Sequence, residues 1–169
     1  MRIAILSLLL VATAAGAQTP PTCTAAQFHQ LDFWLGDWNA KWDASPGTPA
    51  GQGSNHITRG YEGCVIEEHF DGHPGQHLQG HSVSMYFAPA KNWRQTWVDN
   101  EDGYIDLAGG PNGKGEFVLT TLPHPNNARA NRMIFTAITP KSFLWRWQQT
   151  LDGKTWTDSW VIHYTRKPA

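Results

Sequence analysis

The chain has 169 residues, 40% of them hydrophobic and 16% charged, with 13 basic residues against 14 acidic ones. That length holds one domain more naturally than two. The near-neutral balance excludes a general nucleic-acid binder, which needs a basic stripe to displace counterions from phosphates, and gives no electrostatic reason to sit on anionic lipid. Disorder is excluded for most of the chain, because 12% aromatic residues, nine of them tryptophan, can bury ample apolar surface.

The first 17 residues read as a secretory signal peptide. Met1-Arg2 is a short positive start, Ile3 to Ala15 is almost unbroken apolar chain, and Ala15-Gly16-Ala17 is a small-x-small cleavage site. The stretch is too short for a membrane span, and no other segment approaches ~18 consecutive apolar residues. Cys23 follows Thr19-Pro20-Pro21-Thr22 rather than a small-residue box, which argues against a lipid anchor. The reading is therefore a periplasmic or secreted protein, residues 18–169 forming a single domain. In that oxidising setting the two cysteines, Cys23 and Cys64, are expected to form a disulfide. It would close a loop of about forty residues, worth roughly 3–4 kcal/mol by loop-closure entropy.

Thr24-Ala25-Ala26-Gln27 reads as a capping box opening a short helix, with Phe28, Leu31 and Trp34 or Leu35 on one face and Gly36 as its stop. After Gly36 the period changes to two. Strands are predicted over 37–43, 54–59, 64–70, 79–87, 93–99, 104–108, 116–122, 131–138, 142–150 and 155–166. Turn signals such as Asp102-Gly103, Pro111-Asn112-Gly113 and Asp152-Gly153 separate them. Ten strands with short links and no crossover helices are antiparallel neighbours. An all-β, up-and-down barrel with a short N-terminal helix removes the exposed edges; a two-sheet sandwich is the alternative.

Alternation sends every second side chain inward. The inward sets are read as Trp38 with Trp42; Trp93, Gln95, Trp97 and Asp99; Phe143, Trp145 and Trp147; and Trp156, Asp158, Trp160, Ile162, Tyr164 and Arg166. Glu68 travels with Ile66 and Phe70, and Asn55 and Arg59 with Ile57. On 79–87 the hydrophobicity does not decide between His81, Val83, Met85, Phe87 and the Ser82, Ser84, Tyr86 side. Tryptophans mixed with scattered carboxylate, amide and hydroxyl groups describe either a satisfied internal network or an aromatic-lined pocket.

Phe33-Trp34-Leu35-Gly36-Asp37-Trp38, Gly63-Cys64-Val65-Ile66-Glu67-Glu68, Trp93-Arg94-Gln95-Thr96-Trp97-Val98-Asp99 and Asp152-Gly153-Lys154-Thr155-Trp156 occur in that order. The set resembles an uncharacterised family of mostly bacterial, often exported proteins with an F-D-F-W-L-G-x-W opening. One departure is Leu31-Asp32-Phe33, where that family has Phe-Asp-Phe. The resemblance spans nearly the whole chain from Cys23 to Arg166 and implies a calycin-like barrel, but it implies no activity. Gly36-Asp37-Trp38 is also similar to the G-x-W of lipocalins, in which a first-strand Trp packs against an Arg from the barrel's end. Arg166 would take that part here.

Signatures of common enzyme classes are absent: the chain contains no G-x-S-x-G, H-E-x-x-H, P-loop or G-x-G-x-x-G. His69, His73, His77 and His81 recur every four residues, but Gly72, Pro74, Gly75 and Gly80 break any helix, so they read as a strand–loop–strand that is either a polar surface or a collector of zinc or copper. His163 invites comparison with the haem-binding nitrobindins, a related calycin-like family, but it lies on the outward side of its strand. Glu68, Tyr86 and Asp99 could form an acid–base set. The best-supported reading is a barrel that binds a small, partly apolar molecule. Trp38, Trp42, Trp93, Trp97 and Trp145 supply stacking surface, and Glu68, Gln95 and Asp99 orient the ligand. No cofactor is expected. An enzyme acting by proton transfer, and a haem- or metal-binding barrel, are the alternatives.

Overall fold

The computed structural model describes residues 23–45, 47–123 and 129–168. The expected leader, 1–17, lies outside the described residues. Ten strands follow one another: β1 (Gly36–Trp42), β2 (Gly51–Gly60), β3 (Val65–Asp71), β4 (Gln79–Phe87), β5 (Asn92–Asp99), β6 (Tyr104–Pro111), β7 (Phe117–Thr121), β8 (Ala130–Thr136), β9 (Ser142–Thr150) and β10 (Thr157–Arg166). Each pairs antiparallel with its sequence neighbours. The ladder from Trp38↔Arg166 to Lys41↔His163 joins β1 to β10 and closes the sheet into a barrel. A sandwich is thereby excluded, and no strand is left with an unpaired edge.

Alternation decides the side of β4 as well. Ser82 and Ser84 are fully buried, whereas Val83, Met85 and Phe87 are exposed. On β10 the expected alternation breaks. The register shifts between Asp158 and Trp160, a β-bulge that lets Trp160, Ile162 and Tyr164 face inward. The same bulge puts Asp158 on the outer side, so the reading of Asp158 and Trp156 as inward is corrected. Asp158 accepts a hydrogen bond from Gln148 Nε2 at 2.7 Å, and Arg132 lies 4.2 Å over the Trp156 ring.

The floor of the barrel is sealed by the segment before β1. The expected capping box does not form. Ala25, not Thr24, is the N-cap, and it makes no side-chain cap hydrogen bond. The chain instead makes two 3-10 turns, Ala26–His29 and Asp32–Trp34, the first closed by Phe28 N–H donating to Ala25 C=O at 2.9 Å. The reason lies in the spacing. Buried Phe28, Leu31 and Trp34 are three apart, and a helix with three residues per turn aligns them on one edge.

Trp38 Nε1 donates to Trp34 C=O at 2.7 Å, and Phe143 packs edge-on against Trp38 with centroids 4.7 Å apart. The Arg166 guanidinium sits 4.0 Å over the Trp38 ring, the expected cation–π closure. It also donates to Leu35 C=O at 2.8 Å and Pro140 C=O at 2.7 Å. Gly36, at φ +110°, leaves the room this needs, since a Cβ there would meet the guanidinium. The Cys23–Cys64 disulfide, 41 residues apart in sequence, pins the same segment to the start of β3. Arg59 on β2 forms an ion pair with Asp32 and donates to Gly63 C=O at 2.6 Å.

The closed loop predicts the size of the disulfide's contribution. Replacing Cys23 and Cys64 together by Ser lowers unfolding stability by roughly 3–4 kcal/mol, read from urea melts of the double variant against the oxidised protein.

Candidate functional site

Above the floor the inward side chains do not meet. A cavity of about 180 Å³ remains in the half of the barrel where β3, β5 and β9 end. For scale, an engineered apolar cavity of about 150 Å³ accepts a benzene molecule.

The wall is aromatic. Trp145 and Trp147, two residues apart on β9, lie parallel with an interplanar angle of 7° and centroids 6.2 Å apart. Trp160 stands at 85° to Trp145, 5.7 Å away, making a corner. Phe70 continues the wall from Trp160 at 5.8 Å, and Trp97 follows Phe70 at 6.4 Å. Gly80 on β4 makes Trp97's position possible, because a Cβ at Gly80 would overlap the indole. Asp99 fixes the ring by accepting from Trp97 Nε1 at 2.7 Å.

The bottom of the cavity is polar. Glu68 on β3 is paired in register with Ser82 on β4 and lies two residues deeper than Phe70. Its carboxylate accepts from Asn55 Nδ2 at 2.7 Å and from Ser82 Oγ at 2.6 Å. Asn55 Nδ2 is also 3.3 Å from the Tyr164 hydroxyl. Gln95 Nε2 donates to Ser82 and Ser84 at 3.2 and 2.9 Å. Burial without a cationic partner pushes the Glu68 carboxyl up to about 7, against the lowering effect of the Ser82 and Asn55 hydrogen bonds. Burial, and then the Glu68 charge, push the Tyr164 phenol up as well. The Asn55 Oδ1 atom is buried with no partner. A half-turn of that amide would present this acceptor to the hydroxyl of a protonated Glu68, so the same residues can serve both protonation states.

Asp99 behaves oppositely. Burial would raise it, but hydrogen bonds from Trp97 Nε1 and the N–H groups of Glu101 and Gly103 outweigh this and hold it below the usual carboxylate range. Asp99 is an ionised anchor, and Glu68 is the group poised to exchange a proton.

Of the residues singled out from the sequence, Glu68, Gln95, Trp97, Asp99 and Trp145 line this cavity. Trp38, Trp42 and Trp93 do not; they are fully buried packing residues. Trp93 donates to Gln30 Oε1 at 3.1 Å beside the floor, and Trp42 donates to Pro49 C=O at 3.0 Å. Tyr86 is apart from Glu68 and Asp99, packed on Phe28 and Trp93. The tyrosine beside Glu68 is Tyr164, which alternation marked as inward but which no local signal tied to Glu68. Trp147, Trp160 and Phe70 were likewise legible as inward, though not as cavity wall.

The four spaced histidines lie elsewhere. His69 and His81 are cross-strand partners outside the barrel with rings 4.5 Å apart, and His73 and His77 approach to 5.4 Å in the β3–β4 connection. Among the described residues no three His, Cys, Asp or Glu side chains come together as a metal-binding group. His163 is exposed on the outer face.

No protein-family model matches the chain, and no curated protein is significantly similar to it.

Two outcomes follow from this geometry. Gly80→Val displaces Trp97, costing about 1–3 kcal/mol in a urea melt and the near-UV dichroism of a held indole. Glu68 makes stability fall with rising pH. The native state keeps this proton up to about 7 and the unfolded chain only to about 4.5. Between those values the native state binds more protons, so stability drops as pH rises, by on the order of 3 kcal/mol in all. Melting temperatures from pH 4.5 to 7.5 check this, and Glu68→Gln flattens the slope.

Proposed function

We propose that this protein is an exported carrier or receptor barrel that holds a small, partly apolar organic molecule in its upper half. The observation that carries the reading is the cavity itself: five aromatic rings in contact around a space for about one ring system, above a hydrogen-bonded polar base. Preformed pockets of this kind owe affinity to apolar burial and orientation to a few polar groups. The disulfide supports an oxidising destination. The Phe33–Trp38 motif and the closed barrel support membership in the exported calycin-like family that the sequence resembles.

A proton-transfer enzyme is a second reading, favoured by one observation, the near-neutral Glu68 hydrogen-bonded next to Tyr164. It requires turnover that vanishes in Glu68→Gln while binding persists.

Native mass spectrometry of the protein purified from the periplasm tests binding directly. Retained organic mass is expected, and it is lost in Trp97→Ala. Thermal melts with indole as an added one-molecule probe give the companion result. A rise in melting temperature is expected for the wild type and not for Gly80→Val. A bare wild-type chain that indole does not stabilise would overturn the binding reading.

A further inference from the structure

The charge inventory of the cavity is one-sided. Two carboxylates, Glu68 and Asp99, line it, and among the described residues that line it none is Lys, Arg or His. Glu68 takes part in no ion pair among the described residues, and its hydrogen-bond donors, Asn55 and Ser82, are neutral. Each carboxylate oxygen uses one donor and retains a further lone pair. Above them stand Trp97, Trp145, Trp147, Trp160 and Phe70, whose π faces attract cations. A buried acid with no countercharge, under an aromatic collar, is complemented by a positive group on the guest, and the buried Trp160 Nε1–H, which has no partner among the described residues, leaves room for an acceptor as well.

We infer that the cavity takes an organic ammonium ion, its apolar body held by the collar and its charged head directed at Glu68. This rests on the binding reading above and names the ligand's class. A neutral guest leaves the Glu68 carboxyl with no use for its charge, and an anion meets two carboxylates. Among the described residues no group of three His, Cys, Asp or Glu offers a metal ion a ligand set. The ammonium satisfies the open lone pairs of a carboxylate that is itself buried, and the aromatic wall adds cation–π attraction.

Binding is then linked to protons. Glu68 is hydrogen-bonded by Asn55 from β2 and Ser82 from β4, and it shares the cavity lining with Gln95 and Asp99 from β5 and Tyr164 from β10. Asp99 is already ionised and Tyr164 remains neutral, so neither competes for the proton. Arg59, farther down β2, is engaged by Asp32. The lining residues of β6, β8 and β9 carry no charge. An incoming ammonium therefore expels the Glu68 proton, and its affinity rises with pH until Glu68 is fully ionised.

The test is isothermal titration calorimetry of the mature protein with three matched one-ring probes: 2-phenylethylamine as its cation, 2-phenylethanol and phenylacetate. The amine is expected to bind about tenfold or more tighter than the alcohol at pH 7, with phenylacetate weakest. At pH 6 amine binding releases most of a proton, read from the dependence of the heat on buffer ionisation, and alcohol binding releases none. Glu68→Gln abolishes both the preference and the release. If that variant fails to fold, proton release by the wild type decides alone. Alcohol or phenylacetate binding as tightly as the amine, or amine binding without proton release, overturns the inference and leaves the binding reading standing. Binding of none of the three overturns both.

Discussion

Closing ten strands into one barrel encloses more space than the barrel's own side chains occupy. Eight strands give an interior that inward side chains just fill or that holds one small ligand, and the diameter grows with strand number. The surplus has to be filled, hydrated or left for a guest. Here the chain divides it by height. The lower half is filled with Trp34, Trp38, Phe117, Phe135 and Phe143, capped by two 3-10 turns and locked by Arg166. The upper half keeps its tryptophans at the wall and leaves the axis open.

The filled half makes the open half possible. A barrel hollow throughout would forgo the apolar burial that this packed end supplies. The floor concentrates that packing at one end and ties to it the segment before β1, Cys23 through Cys64, and the end of β10, Arg166 through Trp38 and Leu35. The open end is then held by local devices. Asp99 accepts three hydrogen bonds and so fixes Trp97 and the β5–β6 turn together. Gly80 clears the space for that indole.

Most of the barrel was legible because period-two alternation and turn residues are local signals. The boundaries of β4 and β9 and the inward faces of β1, β5 and β9 could be read directly from the residues. Three things could not. The bulge at Asp158 carries no distinctive residue, so alternation pushed Trp156 and Asp158 to the wrong side. The N-terminal turns satisfy both a four-residue capping pattern and a three-residue burial pattern, and packing against the floor chose the second. Height along the barrel axis is the largest gap. Alternation tells inside from outside, but it does not tell floor from cavity. Alternation alone therefore groups Trp38, Trp42 and Trp93 with Trp97 and Trp145, and it points to Tyr86 rather than Tyr164 as the partner of Glu68.

Glu68 is where these constraints meet. An isolated ionised carboxylate in an apolar interior is among the least favourable groups a fold can carry, and it stays neutral unless something compensates it. A barrel that needed only a solid core would gain by an apolar residue at that position, since replacing buried charges with well-packed hydrophobic residues is often neutral or stabilising. This chain instead surrounds Glu68 with Asn55, Ser82, Gln95, Ser84 and Tyr164, an array of hydrogen bonds able to serve a charged or a neutral carboxyl. It places that array at the base of the space its aromatic wall leaves open. On the reading proposed above, the stability lost to burying the acid would be offset by a guest that supplies the opposite charge, and Glu68 would both weaken the empty barrel and select what enters it.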